Sequence, residues 1–348
     1  MKRQHVTVIC ILILGLVFFT LPSFESVWAA EKNPKPTTNI KIAGGRVGDP
    51  WYVFAQAWAN FINKESTWLR AEVVATPGVT GSVELMKDKP KEYLCLNSFS
   101  NFAHYRKGEF AEARGHYLGM RFIANGNSMS QVLITYNPKM KSPEDLAGKT
   151  VHVSRKGAAN VPDHTAVLKE WGVLDKVKLV HGGYGGGKGK LMDGLVDATF
   201  LIFDHIYPTK YGKGQFVSEL ETKGDVYYIG LDRDKLLKLR REGFATLPVR
   251  IPAKALDPKT QLTDIWGYND VVFFSADEQM DPEIVYEATR VICKTAGQWT
   301  KWHPQGEHMT MEFIPAMFIL DPNFVHIGAK KYYDEQGIKL KDLADLLR

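Results

Sequence analysis

The sequence predicts an exported α/β protein built from two lobes. Three observations support this prediction: a single long apolar run at the N-terminus, short strand-like segments that alternate with amphipathic helical segments, and glycine- or hydroxyl-rich loops that follow the strands. Alternation of this kind is typical of parallel sheets covered by helices. Since the chain carries roughly twice the strands that one such sheet needs, we expect two lobes.

Residues 1–30 have the three parts of a secretory signal peptide. A basic start at Lys2 and Arg3 precedes a nearly continuous apolar stretch from Val6 to Leu21, and small residues lead to a cleavage site near Ala30. The alternative is a membrane anchor, but a run of about 16 residues is just under the usual lower limit for a spanning helix. We therefore expect a cleaved signal and a mature protein in the periplasm.

Composition excludes several classes of protein. Lys and Arg number 44 against 39 Asp and Glu, a net charge of +5 that is spread along the chain, so no nucleic-acid footprint is predicted. The scattered histidines lack metal-ligand spacing, and we expect neither metal nor cofactor. Cys95 and Cys293 lie in apolar contexts, which favours buried free thiols, although a disulfide between them stays open.

The segments can be assigned in order along the chain. A leader over residues 31–38 precedes the first strand. The predicted strands cover 39–43, 71–76, 93–97, 132–136, 150–154, 178–180, 198–203, 226–231 and 271–274, and the predicted helices cover 51–64, a segment from Gly81, 162–171 and 282–297. We expect lobe 1 to comprise 39–131 plus 271–348, and lobe 2 to comprise 132–270.

The loops after the strands are the candidate ligand site, because ligands in open α/β sheets bind beyond the carboxyl ends of the strands. The first such loop runs from Gly44 to Tyr52 and contains Arg46, whose planar guanidinium suits a carboxylate. The second runs from Thr76 to Ser82, and the third is Asn97–Ser98. Each of these loops also fits an ordinary helix cap.

These loops and several later segments resemble the TAXI-type solute-binding receptors of TRAP transporters. The resemblance rests on segments along nearly the whole mature chain, namely Ile42–Ala59 with Gly45, Gly48 and Tyr52, then Gly81–Glu84, Asp145–Val151, Asp197–Ala198 and His326–Tyr333. It implies a two-lobed periplasmic-binding-protein fold of type II-like topology with a ligand cleft between lobes. It also implies a receptor for small organic acids or amino acids that delivers them to TRAP membrane subunits, and we expect a monomer.

The departures from the family pattern concern the ligand. Gly157-Ala158-Ala159-Asn160 stands where the family usually has Gly-Ser-Gly-Thr, and Arg155 and Lys156 add charge before it. Arg46, Asp49, Trp51 and Asp204 also replace residues that are usual in the family, so a larger or aromatic acid, or one whose amine pairs with an Asp, is a candidate ligand. The predicted ligand-binding residues are Arg46, Asp49, Trp51, Tyr52, Thr80, Ser82, Asn97, Ser98, Arg155, Gly157, Asn160, Asp204 and His205. Whether Arg46 or Arg155 anchors a carboxylate is open, and Arg46 and Asp49 also fit a pair across their loop.

Two alternative functions have weaker support in the sequence. The segment Gly182–Gly189 has phosphate-loop spacing, but Gly189 stands where Ser or Thr would bind Mg²⁺, so we interpret it as a flexible loop. No nucleophile motif of the Gly-x-Ser-x-Gly type is present. A periplasmic enzyme is therefore the weaker alternative, and a secreted ligand-sensing domain for a signalling partner is the other.

Overall fold

The computed structural model describes residues 35–108, 115–156, 158–206 and 210–346. The predicted signal peptide and Gly157 lie outside these ranges. The strands are β1 (Thr38–Ala43), β2 (Leu69–Val74), β3 (Tyr93–Ser98), β4 (Met120–Thr135), β5 (Thr150–Val153), β6 (Lys178–His181), β7 (Ala198–Ile206), β8 (Lys210–Gly212), β9 (Tyr227–Ile229), β10 (Leu247–Ile251), β11 (Ile265–Asp277), β12 (Ala316–Met317) and β13 (Lys341–Asp342).

The helices lie between these strands, which confirms the α/β prediction. They are α1 (Pro50–Glu65), α2 (Val79–Asp88), α3 (Phe99–Lys107), α4 (Val161–Glu170), α5 (Tyr184–Met192), α6 (Gln215–Glu221), α7 (Arg233–Arg241), α8 (Pro282–Lys294), α9 (Ile327–Glu335) and α10 (Leu343–Leu346). Helix α1 shows how the sequence sets these elements. Pro50 occupies its first turn, and the apolar face predicted for it is buried at Phe54, Trp58 and Ile62.

One large mixed sheet forms the framework of the molecule. Its strands run in the order β2-β1-β3-β11-β4-β7-β5-β6. At one end β1 is parallel to β2 and β3, and at the other end β5 is parallel to β6 and β7. Between the two parallel groups lie β4 and β11, which are antiparallel to each other and to their outer neighbours.

The two long strands join the halves of the sheet. Gln131 of β4 pairs with Tyr268 of β11, and Met129 pairs with Asp270. The lobe boundaries expected at residues 131 and 270 therefore lie side by side in this ladder. Both strands are much longer than the sequence predicts, and the register shifts near Gly126, so that Asn125 pairs with Phe273 while Asn127 pairs with Val272.

The segment Gly182–Gly189 differs from the flexible loop that the sequence predicts. It is not a loop beyond Gly183, because helix α5 begins at Tyr184. Gly187 serves close packing, because a Cβ placed on it would overlap the imidazole of His152 and lie 2.9 Å from Thr199 Oγ1. His152 is fixed there by hydrogen bonds to Thr199 Oγ1 at 2.8 Å and to the carbonyl of Gly182 at 3.0 Å.

The state of the two cysteines and the length of the helices test two further expectations, free thiols and the absence of a second membrane span. Cys95 and Cys293 are free and buried, and burial raises the pKa of each thiol to about 12. The prediction of free thiols is thus confirmed. In the part of the chain that the structure describes, every helix is too short or too polar to cross a bilayer.

Candidate functional site

The carboxyl ends of strands from both halves of the sheet meet at the middle of β4. Ser98, the last residue of β3, pairs with Val272, which pairs in turn with Asn127. From the other side, Phe203 of β7 pairs with Ser130. Asn127 and Ser130 are three residues apart, a distance of roughly 10 Å along a strand. The predicted loops of both halves therefore follow strands that meet at this part of the sheet, and we call this region the central site.

Two predicted arginines from opposite halves meet at the outer rim of the central site. A Cβ placed on Gly78 would lie 3.2 Å from Arg155 Nη2 and 4.0 Å from Arg46 Nε. Arg46 donates a hydrogen bond from Nε to the carbonyl of Pro77 and is otherwise exposed. Gly78 has φ +149°, so its backbone favours glycine, and the missing side chain leaves room for both guanidinium groups.

The hydroxyl-rich second loop is held together by its own side chains. Thr76 Oγ1 lies 2.9 Å from Ser82 Oγ and donates to the carbonyl of Gly78 at 2.8 Å. Ser82 is fully buried. Its hydroxyl thus fixes the loop that carries Gly78. The main-chain carbonyl of Thr80 accepts a hydrogen bond from Tyr105 Oη at 3.5 Å.

The side chains of the third loop also form hydrogen bonds within the protein. Asn97 Nδ2 donates to Ser275 Oγ at 3.2 Å, and Ser98 Oγ accepts from the main-chain nitrogen of Asn101 at the start of α3. Both side chains are buried. Asn97 and Ser98 therefore shape the base of the central site from within the protein.

The first loop corresponds only in part to its prediction. Asp49 occupies the N-cap position of α1, although its side chain makes no capping hydrogen bond. Among the described residues, Asp49 and Arg46 do not form the ion pair that the sequence left open. Trp51 and Tyr52 are half-buried, and Trp51 packs against the core.

A hydrogen-bond network on the second half of the sheet centres on Gln131. Its Oε1 lies 2.6 Å from His164 Nε2, 3.3 Å from Tyr184 Oη and 3.4 Å from Tyr268 Oη. Asn160, a predicted site residue, donates from Nδ2 to Tyr184 Oη. Residue 131 thus connects the crossing strands to the loops after β5 and β6.

The partners of His164 determine its protonation. Its Nδ1 accepts from the main-chain nitrogen of Ser154 at 3.4 Å, so Nε2 carries the hydrogen and donates to Gln131. Burial lowers the pKa of His164 to about 3, which keeps the imidazole neutral. Arg155 follows Ser154 directly, so the same loop reaches both the network and the rim.

Asp204 and His205 follow the buried part of β7. Partial burial of its carboxyl raises the pKa of Asp204, although the residue as a whole is exposed. His205 is buried, stacks on Tyr211 with ring centroids 4.8 Å apart, and places Nδ1 3.3 Å from Ser130 Oγ.

Two buried carboxyls, those of Asp163 and Asp270, lie beside Ser100 at the start of α3. Asp163 accepts a short hydrogen bond from Ser100 Oγ and a second one, of 2.8 Å, from the main-chain nitrogen of Ala245. Asp270 Oδ1 accepts from the main-chain nitrogen of Ser100 at 3.2 Å. Burial, followed by the nearby charge of Asp163, raises the pKa of Asp270 to about 7.

Gln131, Asp163 and Asp270 were not predicted from the sequence. A signal for two of them was present: the run Asn125–Gln131 is polar, and Asn269–Asp270 interrupts an otherwise apolar segment. Such residues look like a loop, but here they lie inside fully paired strands. Buried polar residues in a central strand indicate either a hydrogen-bond network or a binding site.

Both the sequence and the fold can be compared with known proteins. No curated protein matches the sequence. Among solved structures, the chain is similar to MatC from Rhodopseudomonas palustris with bound malate (12% identity, TM-score 0.49, 86% of this chain and 96% of that one). It is also similar to the periplasmic aliphatic sulphonate-binding protein SsuA from Escherichia coli (13% identity, TM-score 0.47, 90% of this chain and 98% of that one).

A third similar structure is the probable amino-acid ABC transporter extracellular-binding protein ytmK from Bacillus subtilis (12% identity, TM-score 0.40, 80% of this chain and 97% of that one). Structural similarity at such low sequence identity identifies neither a ligand nor a transport route for this chain. The sequence itself matches the NMT1-like family over residues 42–337. Since this match covers most of the chain, the protein belongs to the NMT1-like family.

Proposed function

We propose that the protein is a periplasmic solute receptor that binds a small organic acid or amino acid at the central site. The observation that carries the proposal is the meeting of Arg46 and Arg155 at Gly78. Two like charges brought together from opposite halves of a sheet repel each other, and an anion between them removes that repulsion. A guanidinium also offers paired donors that match the two oxygens of a carboxylate.

The proposed motion is hinge closure of the two lobes, 39–131 plus 271–348 and 132–270. The pairs Gln131–Tyr268 and Met129–Asp270 lie where the chain would cross between them. A ligand held by Arg46 on one side and Arg155 on the other binds the closed state better than the open one. That difference in affinity is what shifts the equilibrium towards closure.

The proposed partner is the membrane part of a TRAP-type transporter, in line with the TAXI resemblance of the sequence. A receptor rather than an enzyme is proposed on the same resemblance. Delivery can be tested by uptake into vesicles that contain the membrane subunits, with the loaded receptor added outside.

Ligand binding is tested by thermal unfolding of the mature protein against a panel of organic acids and amino acids. At about 100 times its Kd, a ligand adds about 2.7 kcal/mol to the free energy of unfolding, which moves the midpoint by several degrees. A panel in which no compound moves the midpoint would overturn the proposal.

The variants Arg46→Ala and Arg155→Ala test the anchors. Loss of a charge-assisted hydrogen bond is expected to weaken binding of the compound found in the panel by roughly 10- to 100-fold. Arg241→Ala on α7 is the matched control, because this arginine is also exposed but lies outside the central site. Unchanged affinity in both rim variants would reject the arginines as anchors.

A further inference from the structure

We propose that the outer edge of strand β2 is a latent interface for a second copy of this chain, and that the side chain of Asn63 keeps it closed in the single molecule. Strand β2 ends the large sheet, and within the described part of the chain it pairs only with β1. An edge strand presents a row of main-chain donors and acceptors that another strand can use. This inference does not depend on the proposed function.

The first argument is the direction of the main-chain groups of β2. Successive residues of a strand turn their N–H and C=O groups alternately to one side and the other, so every second residue of β2 bonds to β1. The carbonyl of Val74 accepts from the main-chain nitrogen of Gly44 at 3.2 Å, which places the even-numbered residues on the inner side. Leu69, Ala71 and Val73 therefore direct their main-chain groups to the outer edge.

Side chains of the same molecule occupy most of these outward groups. Asn63 of α1 donates from Nδ2 to the carbonyl of Ala71 at 2.9 Å, and its Oδ1 accepts from the main-chain nitrogen of Ala71 at 2.8 Å. Ser66 Oγ accepts from the main-chain nitrogen of Leu69 at 3.0 Å, and Arg70 Nη1 donates to the carbonyl of Leu69 at 2.8 Å. The amide of Asn63 thus takes the place that a neighbouring strand would have at the middle of the edge.

The second argument is that this edge is complementary to itself. Two copies of β2 placed antiparallel, with Ala71 opposite Ala71, would set Leu69 opposite Val73 and Arg70 opposite Glu72. The outward main-chain groups of the odd-numbered residues then face one another as hydrogen-bonded pairs. By two-fold symmetry the contact between Arg70 and Glu72 occurs twice, and opposite charges across a ladder stabilise the pairing. The chemistry of the edge therefore fits a second copy of this chain.

The third argument concerns the competition between the two arrangements. The bonds of Asn63 form within one molecule, so they avoid the loss of translational and rotational freedom that association costs. Glu72 stays available to a second copy, because its side chain is 68% exposed and its carboxylate lies 4.0 Å from Lys41 Nζ in a weak surface pair.

The size of the edge sets the strength of the pairing. The strand has 6 residues, and such an edge is small beside a standard interface of about 1,600 Å². We therefore expect a weak dimer that forms only when Asn63 no longer occupies Ala71.

Asn63→Ala tests the inference by size-exclusion chromatography with light scattering on the mature protein, from about 10 μM to about 1 mM, the range of weak complexes. The mass of the variant should rise towards that of a dimer with concentration, whereas the unmodified protein should keep the mass of a monomer. Asn137→Ala is the matched control: Asn137 Oδ1 accepts from the main-chain nitrogen of Lys139 at 3.0 Å in the turn after β4, so this variant loses a comparable bond and should stay monomeric. An unmodified protein or a control that dimerises as the variant does would overturn the role of Asn63.

Charge substitutions in the Asn63→Ala protein test the proposed register. Glu72→Lys would set like charges opposite each other and should abolish the dimer. Adding Arg70→Glu to that protein restores opposite charges and should restore the dimer. A folded Asn63→Ala protein that stays monomeric at every concentration overturns the inference, and so does a dimer that neither charge substitution affects.

Hydrogen exchange on the unmodified protein decides the matter if Asn63→Ala does not fold. The main-chain amide of Ala71 is bonded to Asn63, whereas Val73 is the outward residue that these side chains do not bond. The amide of Ala71 should therefore exchange at least about 10-fold more slowly than that of Val73. Equal exchange at the two amides would show that Asn63 does not close the edge and would overturn the inference.

Discussion

Gly187 lies where helix α5 crosses the side chain of His152. A Cβ at this position would overlap the imidazole ring, which two hydrogen bonds hold in place. Alanine normally stabilises a helix by about 1 kcal/mol relative to glycine. Here we expect the opposite: Gly187→Ala should lower the free energy of unfolding by roughly 1–3 kcal/mol, because the helix or the histidine must move. Urea denaturation measures the change.

The control is in the same helix. A Cβ on Gly186 or Gly189 would meet no atom within 4 Å. Gly186→Ala and Gly189→Ala should therefore stabilise the protein by up to about 1 kcal/mol. If all three variants shift the urea midpoint in the same direction, packing against His152 is not the reason for the glycine at 187.

Single residues also show how far the sequence predicts the central site. The positions of Arg46 and Arg155 in loops after strands could be predicted, because charged residues in such loops are recognisable from local order. Ser82 was assigned to the ligand on the same ground, but its hydroxyl lies against Thr76 and helps to hold its loop. Gln131 was missed because its partners, His164 and Tyr184, are far along the chain. Local pattern gives the position of a polar group, whereas its partner is set by tertiary packing.

At the scale of elements, strand β4 shows the same limit. The sequence predicts a strand over 132–136, where apolar and β-branched residues follow one another, but β4 begins at Met120. Its middle is polar because Ser128 Oγ donates to Asn269 Oδ1 at 2.7 Å and Asn127 Nδ2 donates to Gln305 Oε1 at 3.0 Å. These bonds satisfy groups that would otherwise keep the segment in water. The helices α1, α4 and α8 were predicted well because their apolar periodicity is local.

Helix α9 packs on α8 through a glycine, which gives a prediction for this pair of elements. A Cβ on Gly328 would lie 2.9 Å from the main-chain nitrogen of Tyr286 and overlap the carbonyl of Pro282. Gly328→Val should push the helices apart and lower the free energy of unfolding by roughly 2–4 kcal/mol. Differential scanning calorimetry measures the loss.

The neighbouring residue supplies the control for this helix pair. Ile327 is 67% exposed, so Ile327→Ala should change the free energy of unfolding by no more than about 0.5 kcal/mol. A Gly328→Val protein as stable as Ile327→Ala would show that α9 does not need its close contact with α8.

At the scale of the whole molecule, buried titratable groups set the response to pH. Burial lowers the pKa of His164 and His308 to about 3 and that of His326 to about 4. These imidazoles are neutral in the folded protein but take up protons near pH 6.5 once unfolded, so acidification below pH 6.5 favours unfolding. Asp270 acts in the opposite direction, because its raised pKa lets the folded state bind a proton between about pH 7 and pH 4.

Three histidines against one aspartate leave the unfolded chain with the larger proton uptake between about pH 6.5 and pH 4. We therefore expect the free energy of unfolding to fall on acidification, with a slope of at most about 3 kcal/mol per pH unit. Urea denaturation at pH 7, 6 and 5 measures the slope. His308→Gln removes one of the three groups and should flatten it, whereas substitution of His116, which is exposed, should leave it unchanged. A urea midpoint that stays constant or rises from pH 7 to pH 5 would show that these histidines do not stay neutral in the folded protein.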